Sequence, residues 1–182
     1  KKPIDRIEDI KGLKMRIPGF GGEVLRRNGG TPVAMPGGEI FTALQTGTID
    51  AAEWIGPYND IAFGMHKVAN HYYYPGWHEG GPSLECIINK EAFESLPDDL
   101  QAIVEIAIQS TNDTMLAEFV ARNASALQQI KKMKEIEIKP FPKQVMEAFE
   151  KTTDEIIKEI EAKDPLFQKI YQSFSEYKKT AS

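Results

Sequence analysis

Between Pro97 and Pro140 the chain offers no glycine and no proline to stop a helix. Ile103, Ala107, Ser110, Thr114, Ala117, Ala121 and Ala124 recur there at alternating four- and three-residue steps, the period of one helical face. Ser95 or Asp98 can cap the start, with Pro97 at or near the first turn. About 35 residues at 1.5 Å rise give a helix of roughly 50 Å. A chain of 182 residues folds into a domain narrower than that. The helix therefore either kinks or braces two lobes of which only one is represented here. Met133 to Ile138 can end it as an extended segment.

The residues before it alternate in character. Ile7 to Gly12 reads as one helical turn, and Leu13 to Ile17 as a strand in which Arg16 faces opposite to Met15 and Ile17. That arginine is either exposed or aimed at a cleft. Pro18 to Gly22 breaks the strand, and Glu23 to Asn28 resumes as helix. A strand, glycine turn and helix can cradle an anion, but Val24 stands where a dinucleotide fingerprint needs its third glycine. Val33 to Met35 is a second strand, Glu39 to Thr46 a helix capped by Gly47, and Ile49 to Ile55 a third strand. This β-α-β-α-β order predicts an α/β fold with a mainly parallel sheet. Tyr58 to Lys67 suits a short helix, and Val68 to Tyr74 and Pro82 to Asn89 suit strands. The last two form either a hairpin or two crossings between lobes.

After Pro142, Gln144 to Ala162 is amphipathic, with Val145, Phe149, Thr152, Ile156 and Ile160 on one stripe. A final helix from Asp164-Pro165 carries Phe167, Ile170, Tyr171, Phe174 and Tyr177. These aromatics can pack on a second subunit.

The net charge of −5 argues against nucleic acid or an anionic membrane as partner. Cys86 is the one cysteine, so no disulfide closes within the chain and no zinc site rests on thiolates. In Leu84 to Ile88 it reads as a buried, inert thiol. His66, His71 and His78 have no metal-ligand spacing with it. No apolar run approaches the roughly 20 residues of a membrane span. Lys1-Lys2-Pro3-Ile4 reads as a cut from something longer.

Two stretches carry chemistry. Ala51 to Asp60 and Tyr72 to Glu79 each place a glutamate, Glu53 or Glu79, close to a tryptophan, with glycine and proline turning the chain nearby. Strand ends are where α/β proteins seat their ligands. A glutamate there, beside an indole that excludes water, can hold a cation or a polar ligand group. One such motif is more often a solvated glutamate and a core tryptophan. Two in tandem, downstream of an arginine-bearing strand, favour a site. The Tyr72-Tyr73-Tyr74 run fits sheet packing and a ligand pocket equally.

Three segments, Ile10-Lys11-Gly12-Leu13-Lys14-Met15-Arg16-Ile17-Pro18, Gly30-Thr31-Pro32-Val33-Ala34-Met35 and Ala43-Leu44-Gln45-Thr46-Gly47-Thr48-Ile49-Asp50, together resemble the extracytoplasmic solute-binding proteins of tripartite ATP-independent periplasmic (TRAP) transporters. Glu53-Trp54-Ile55-Gly56-Pro57 and Tyr74-Pro75-Gly76-Trp77-His78-Glu79 look like the branch that binds 2-oxo or 2-hydroxy monocarboxylates with a metal ion. The resemblance implies a periplasmic-binding-protein-like lobe with a long bracing helix and C-terminal helices, the first lobe being largely absent. It implies a layout of 1–69 with 83–140 as the second-lobe domain, 70–82 as a crossing segment, and 141–182 as C-terminal helices.

By the same resemblance Arg16 clamps the ligand carboxylate, and Glu53, Glu79 and the Trp54 carbonyl hold a cation. Oxygen donors of this kind suit Ca²⁺ or Na⁺. Phe20, Trp54, Tyr74 and Trp77 form the apolar wall. The implied protein is a periplasmic binding subunit, not an enzyme, whose partners are a small organic carboxylate, membrane permease subunits and a second copy through the C-terminal helices. The alternatives are a hydrolase using Glu53 and Glu79 as paired carboxylates, and a structural interaction domain without a ligand.

Overall fold

A computed structural model describes residues 2–79, 81 and 84–181. The chain forms two compact units, Lys1–Glu53 with Lys139–Ser182, and Trp54–Ile138.

In the first unit a 3₁₀ turn, Ile7–Ile10, leads into β1, Lys14–Arg16. Then come α1 (Gly19–Arg27), β2 (Thr31–Val33), α2 (Gly37–Thr46) and β3 (Ala51–Ala52). The sheet order is β2-β1-β3, and β1 is parallel to both neighbours. Leu13, Met15 and Ile17 are buried, while Arg16 between them sits on the other face, partly covered. The alternation read from the sequence is therefore the burial pattern of the strand.

Two expectations shift. The second strand lies two residues earlier than Val33–Met35 and contains Pro32, which β2 tolerates because it is an edge strand. Pro18 to Gly22 does not simply break the chain, since α1 already starts at Gly19. Gly22 serves close approach. A Cβ at Gly22 would stand 2.8 Å from the Ile17 carbonyl oxygen and 3.3 Å from Pro32 Cβ. The third strand is also short, two residues where seven were expected. Gly47 does cap α2, in the left-handed conformation at φ 79°.

The C-terminal residues return to this unit. Lys143–Glu161 form α6, and Pro165–Ala181 form α7. Val145, Phe149, Thr152 and Ile156 of α6 are buried, as the stripe predicted, and α6 packs on α1. At the contact Asn28, which ends α1, donates both amide hydrogens, to the Val24 carbonyl at 2.9 Å and to the Thr152 hydroxyl at 3.0 Å. Arg27 adds a paired contact to Glu159 at 2.6 and 2.7 Å. Hydrogen bonds from Arg26 and Arg27 hold the Glu23 carboxyl down to about 2. These groups face solvent, so packing under α6 outweighs them. Asp164 Oδ1 caps α7 through the amides of Leu166 and Phe167.

The second unit holds α3 (Pro57–Ala62), a 3₁₀ turn (Met65–Lys67), β4 (His71–Tyr73), α4 (Lys90–Glu94) and α5 (Asp98–Ile130). Gly64, left-handed at φ 71°, splits the expected Tyr58–Lys67 helix in two. Strand β4 pairs with β5, Glu137–Lys139, and the Glu137 amide donates to the Asn70 carbonyl at 2.8 Å. The long helix is continuous over 33 residues, about 50 Å.

Residues 84–89 form no strand, against the expectation for Pro82–Asn89; Pro82 and Ser83 lie outside the described residues. With no neighbouring strand among the described residues, β propensity alone does not make a ladder. Cys86 is accordingly exposed, not buried. Asn89 instead caps α4, which the sequence reading missed. Among the described residues no helix is long and apolar enough to cross a membrane.

The close approach at Gly22 gives a direct check. Gly22→Ala is expected to cost about 1–3 kcal/mol in urea unfolding, because backbone oxygen cannot move aside. Gly38→Ala, with nothing within 4 Å of the added methyl, is expected to be neutral or mildly stabilising. Equal responses at the two positions would contradict the packing described for α1.

Candidate ligand site

In a parallel sheet all carboxyl ends point one way, and the loops that leave them gather on that side. Arg16 is the last residue of the middle strand. Met35 follows the end of β2, and Glu53 follows the end of β3. The three meet. Arg16 Nε donates to the Met35 carbonyl at 3.4 Å, and Nη1 donates to the Glu53 carbonyl at 3.0 Å and to its carboxylate Oε2 at 3.3 Å. Only 13% of the arginine side chain and 21% of the glutamate side chain are exposed. The Glu53 amide also donates to the Arg16 carbonyl at 2.8 Å, so strand pairing itself sets the guanidinium beside the carboxylate. A sheltered guanidinium is suited to grip a carboxylate through two parallel hydrogen bonds. Phe20 lies in the first turn of α1, just beyond the same strand end, and is 41% exposed.

In the second unit Trp54 is half-buried, its ring 5.3 Å from that of Phe63 at a 60° tilt. Tyr74 is exposed at the end of β4, beside a cis bond to Pro75. Trp77 is half-buried with its ring 4.9 Å from that of His78, and Glu79 is exposed with Oε2 4.0 Å from His78 Nε2. Burial pushes the His78 pKa down, only partly offset by Glu79. The neutral ring keeps a lone pair for a ligand or a hydrogen bond. Of the residues singled out from sequence, Arg16 and Glu53 are thus brought together within the first unit. Trp54, Tyr74, Trp77 and Glu79 belong to the second.

The sequence reading passed over a polar pair nearby. Tyr72 Oη donates to Asp60 Oδ2 at 2.6 Å, joining β4 to α3. Burial raises the Asp60 pKa to about 6 despite that bond, and burial also raises the Tyr72 pKa. No short-range pattern links positions 60 and 72, so only the fold reveals them.

The short parallel sheet flanked by helices is an α/β fold of the kind that solute-binding proteins share. Residues 1–164 match the model of the bacterial extracellular solute-binding proteins, family 7, and the chain belongs to that family. The family consists of solute-binding transport proteins, and the hydrolase alternative is set aside on that ground. A monocarboxylate 2-oxoacid-binding periplasmic protein of Nostoc sp. is 42% identical over 179 residues, 98% of this chain and 49% of that protein. A TRAP periplasmic solute-binding protein from Colwellia psychrerythraea, solved with bound calcium and pyruvate, is 43% identical with a TM-score of 0.93. The match covers 100% of this chain and 55% of that one. A second, from Pseudoalteromonas atlantica with bound sodium and pyruvate, is 40% identical with a TM-score of 0.90, covering 99% and 55%. The chain spans about half the length of these relatives.

The Asp60 carboxyl makes stability depend on pH in an identifiable direction. Its folded pKa, about 6, lies above the usual 3.8, so its contribution is fully present below about pH 4 and lost as pH rises past 6. Asp60→Asn keeps an acceptor for Tyr72 and removes the titration. The stability gap between variant and parent is expected to open between about pH 4 and pH 7, in favour of the variant, by roughly 1–3 kcal/mol. Denaturant titrations across that range test it, and a constant gap would contradict the buried-carboxyl reading.

Proposed function

We propose that this chain is the ligand-gripping part of a TRAP solute-binding subunit that takes a small 2-oxo or 2-hydroxy carboxylate. The arrangement that carries the reading is the sheltered Arg16–Glu53 pair at the carboxyl ends of the sheet. Arg16 is the clamp for the ligand carboxylate. A carboxylate brought to that guanidinium also approaches the Glu53 carboxylate, and like charges at such range repel. A cation between them removes the conflict.

On this reading Glu53, Glu79 and the Trp54 carbonyl hold that cation. The donor set fits the group, since it is all oxygen and suits Ca²⁺ or Na⁺. When bound, the cation supplies charge neutralisation and a second point of attachment at the ligand's 2-oxygen. Phe20, Trp54, Tyr74 and Trp77 form the apolar wall. Calcium and pyruvate, or sodium and pyruvate, in relatives 43% and 40% identical support this choice. The wider reading is a periplasmic location, delivery to membrane permease subunits, and residues 70–82 crossing towards the remainder of the binding protein.

The clamp is tested in the full-length chain by calorimetry with pyruvate and calcium. Arg16→Lys keeps the charge and loses the fork. It is expected to weaken binding about 10- to 150-fold, the worth of a charged hydrogen bond out of water. Unchanged affinity would sink the clamp. Glu53→Gln and Glu79→Gln are each expected to weaken binding and to abolish its sensitivity to chelators or to Ca²⁺/Na⁺ exchange. A variant that matches its parent in chelator-treated buffer does not hold the cation.

We also assign a homodimer to the C-terminal helices. Helix α7 has no buried residue, Phe167 stacks on Tyr171, and Leu166, Ile170, Phe174 and Tyr177 are 54–70% exposed. Such a stripe favours association. The 182-residue chain is expected to scatter light as a dimer or larger at micromolar concentration and to fall to monomer mass on Ile170→Glu with Phe174→Glu. A monomeric parent excludes this interface.

A further inference from the structure

The segment that carries Trp54 runs directly into α3, and α3 lacks a cap of its own. Gly56 stands at its N-cap position and has no side chain to accept a helix amide. The acceptor comes from another helix. Asn123 of α5, 65 residues further on, takes the Tyr58 amide on Oδ1 at 3.0 Å. Gly56 has extended backbone, φ 165°, which any residue can adopt. What restricts the position is space, because a Cβ there would lie 3.0 Å from Asn123 Oδ1.

Neighbouring contacts repeat the attachment. Phe119 of α5 meets the Tyr58 ring edge-on at 6.3 Å. Arg122 lies 5.0 Å over the same ring and donates to its hydroxyl at 3.0 Å. At the other end of α3 the Phe63 ring carries Trp54, and mid-helix Asp60 receives Tyr72 of β4, the strand that continues to Tyr74 and Trp77. One short helix is therefore tied to both aromatic segments of this unit, and its own start is fixed from α5.

We propose that Asn123 is a positioning residue of the ligand site, which sets the path of Trp54 to Gly56 by capping α3 from the long helix. This rests on the functional reading above, in which the Trp54 carbonyl and the adjacent Glu53 hold the cation. Asn123 itself touches neither ligand nor cation. Its amide oxygen fixes a helix start two residues past Ile55. Without it, the amides at that start turn to water and the preceding loop loses its fixed end. A carbonyl donor displaced by a fraction of an ångström loses much of its worth to a small cation.

The test uses the full-length protein, calcium and pyruvate as probes, and calorimetry with thermal unfolding on every variant. Asn123→Ala is expected to weaken calcium-supported pyruvate binding about 3- to 30-fold, the scale of a lost helix cap. Asn123→Asp keeps the acceptor and is expected to stay within about 3-fold of the parent. Gly56→Ala, which crowds Asn123 from the other side, is expected to weaken binding with α5 intact, and it decides the matter if Asn123→Ala does not fold. Phe149→Leu, in the core under α6, serves as a control that lowers stability and leaves binding unchanged. If Asn123→Ala and Gly56→Ala bind like the parent while Arg16→Ala loses binding, the positioning role is wrong and the site stands. If Asn123→Asp falls as far as Asn123→Ala, or Phe149→Leu weakens binding in step with its lost stability, the role is structural only. If the parent itself does not bind pyruvate with calcium, the functional reading fails and takes this inference with it.

Discussion

A guanidinium drawn out of water must be met by acceptors, and the first unit is arranged to supply them. Arg16 ends the middle strand, and its partners follow the ends of the two flanking strands. Only a parallel arrangement does this, since antiparallel neighbours would send their ends to the opposite edge. The sheet is otherwise a minimal one, with strands of two or three residues. It is covered by α1, which packs on β2 and approaches Ile17 and Pro32 through Gly22, and by α6 packed on α1. Half-buried ion pairs add little net stability, yet removing one partner leaves a costly charge behind. The Arg16–Glu53 pair is thus better understood as a constraint on geometry than as a source of stability.

That constraint explains which parts of the structure were legible in the sequence. The β-α-β-α-β order, the αL glycine ending α2, the apolar stripe of α6 and the breaker-free α5 are all local periodicities or caps, and each is present, although strand bounds shift by a few residues. Arg16 was legible as a polar residue between two buried ones. Its pairing with Glu53 was not, because strand order is a tertiary fact. Pro18 to Gly22 was read as a strand break, whereas Gly22 lies inside α1 and is needed for its close approach to Ile17 and Pro32, which depends on what lies opposite. Residues 84–89 show the converse error: strong β propensity with no partner strand among the described residues. Asp60, Tyr72 and Asn123 left no pattern, being single polar residues whose roles exist only across α3.

Helix α5 changes along its length. Its first two-thirds carries Leu100, Ile103, Ile106 and Leu116, all at least 42% exposed, whereas Ala126 and Ile130 near its end are buried. A helix at full exposure with this many large aliphatics has no energetic reason to be so long. Apolar area of that kind gains from being covered, at about 25 cal/mol for each Å² removed from water. The missing breakers give α5 its length, and its exposed aliphatics, unlike Ala126 and Ile130, are left with apolar area still open to water.

The proposed chemistry divides selectivity in the same physical terms. In the proposed site, Arg16 would take every carboxylate alike. A cation held beside Glu53 would add a demand for a second oxygen near the carboxylate, which 2-oxo and 2-hydroxy acids carry. Neither element senses what lies beyond the second carbon. That discrimination belongs to the walls, and a wall acts by excluding volume and leaving polar groups unpaired. In the proposed site Phe20 and Tyr74, each 41% exposed, would contribute to such walls. On that reading the headgroup class would be set at the strand ends, rigid by hydrogen bonding, and ligand size by the walls. The two can vary independently, which lets one strand-end arrangement serve ligands as different in bulk as the walls allow.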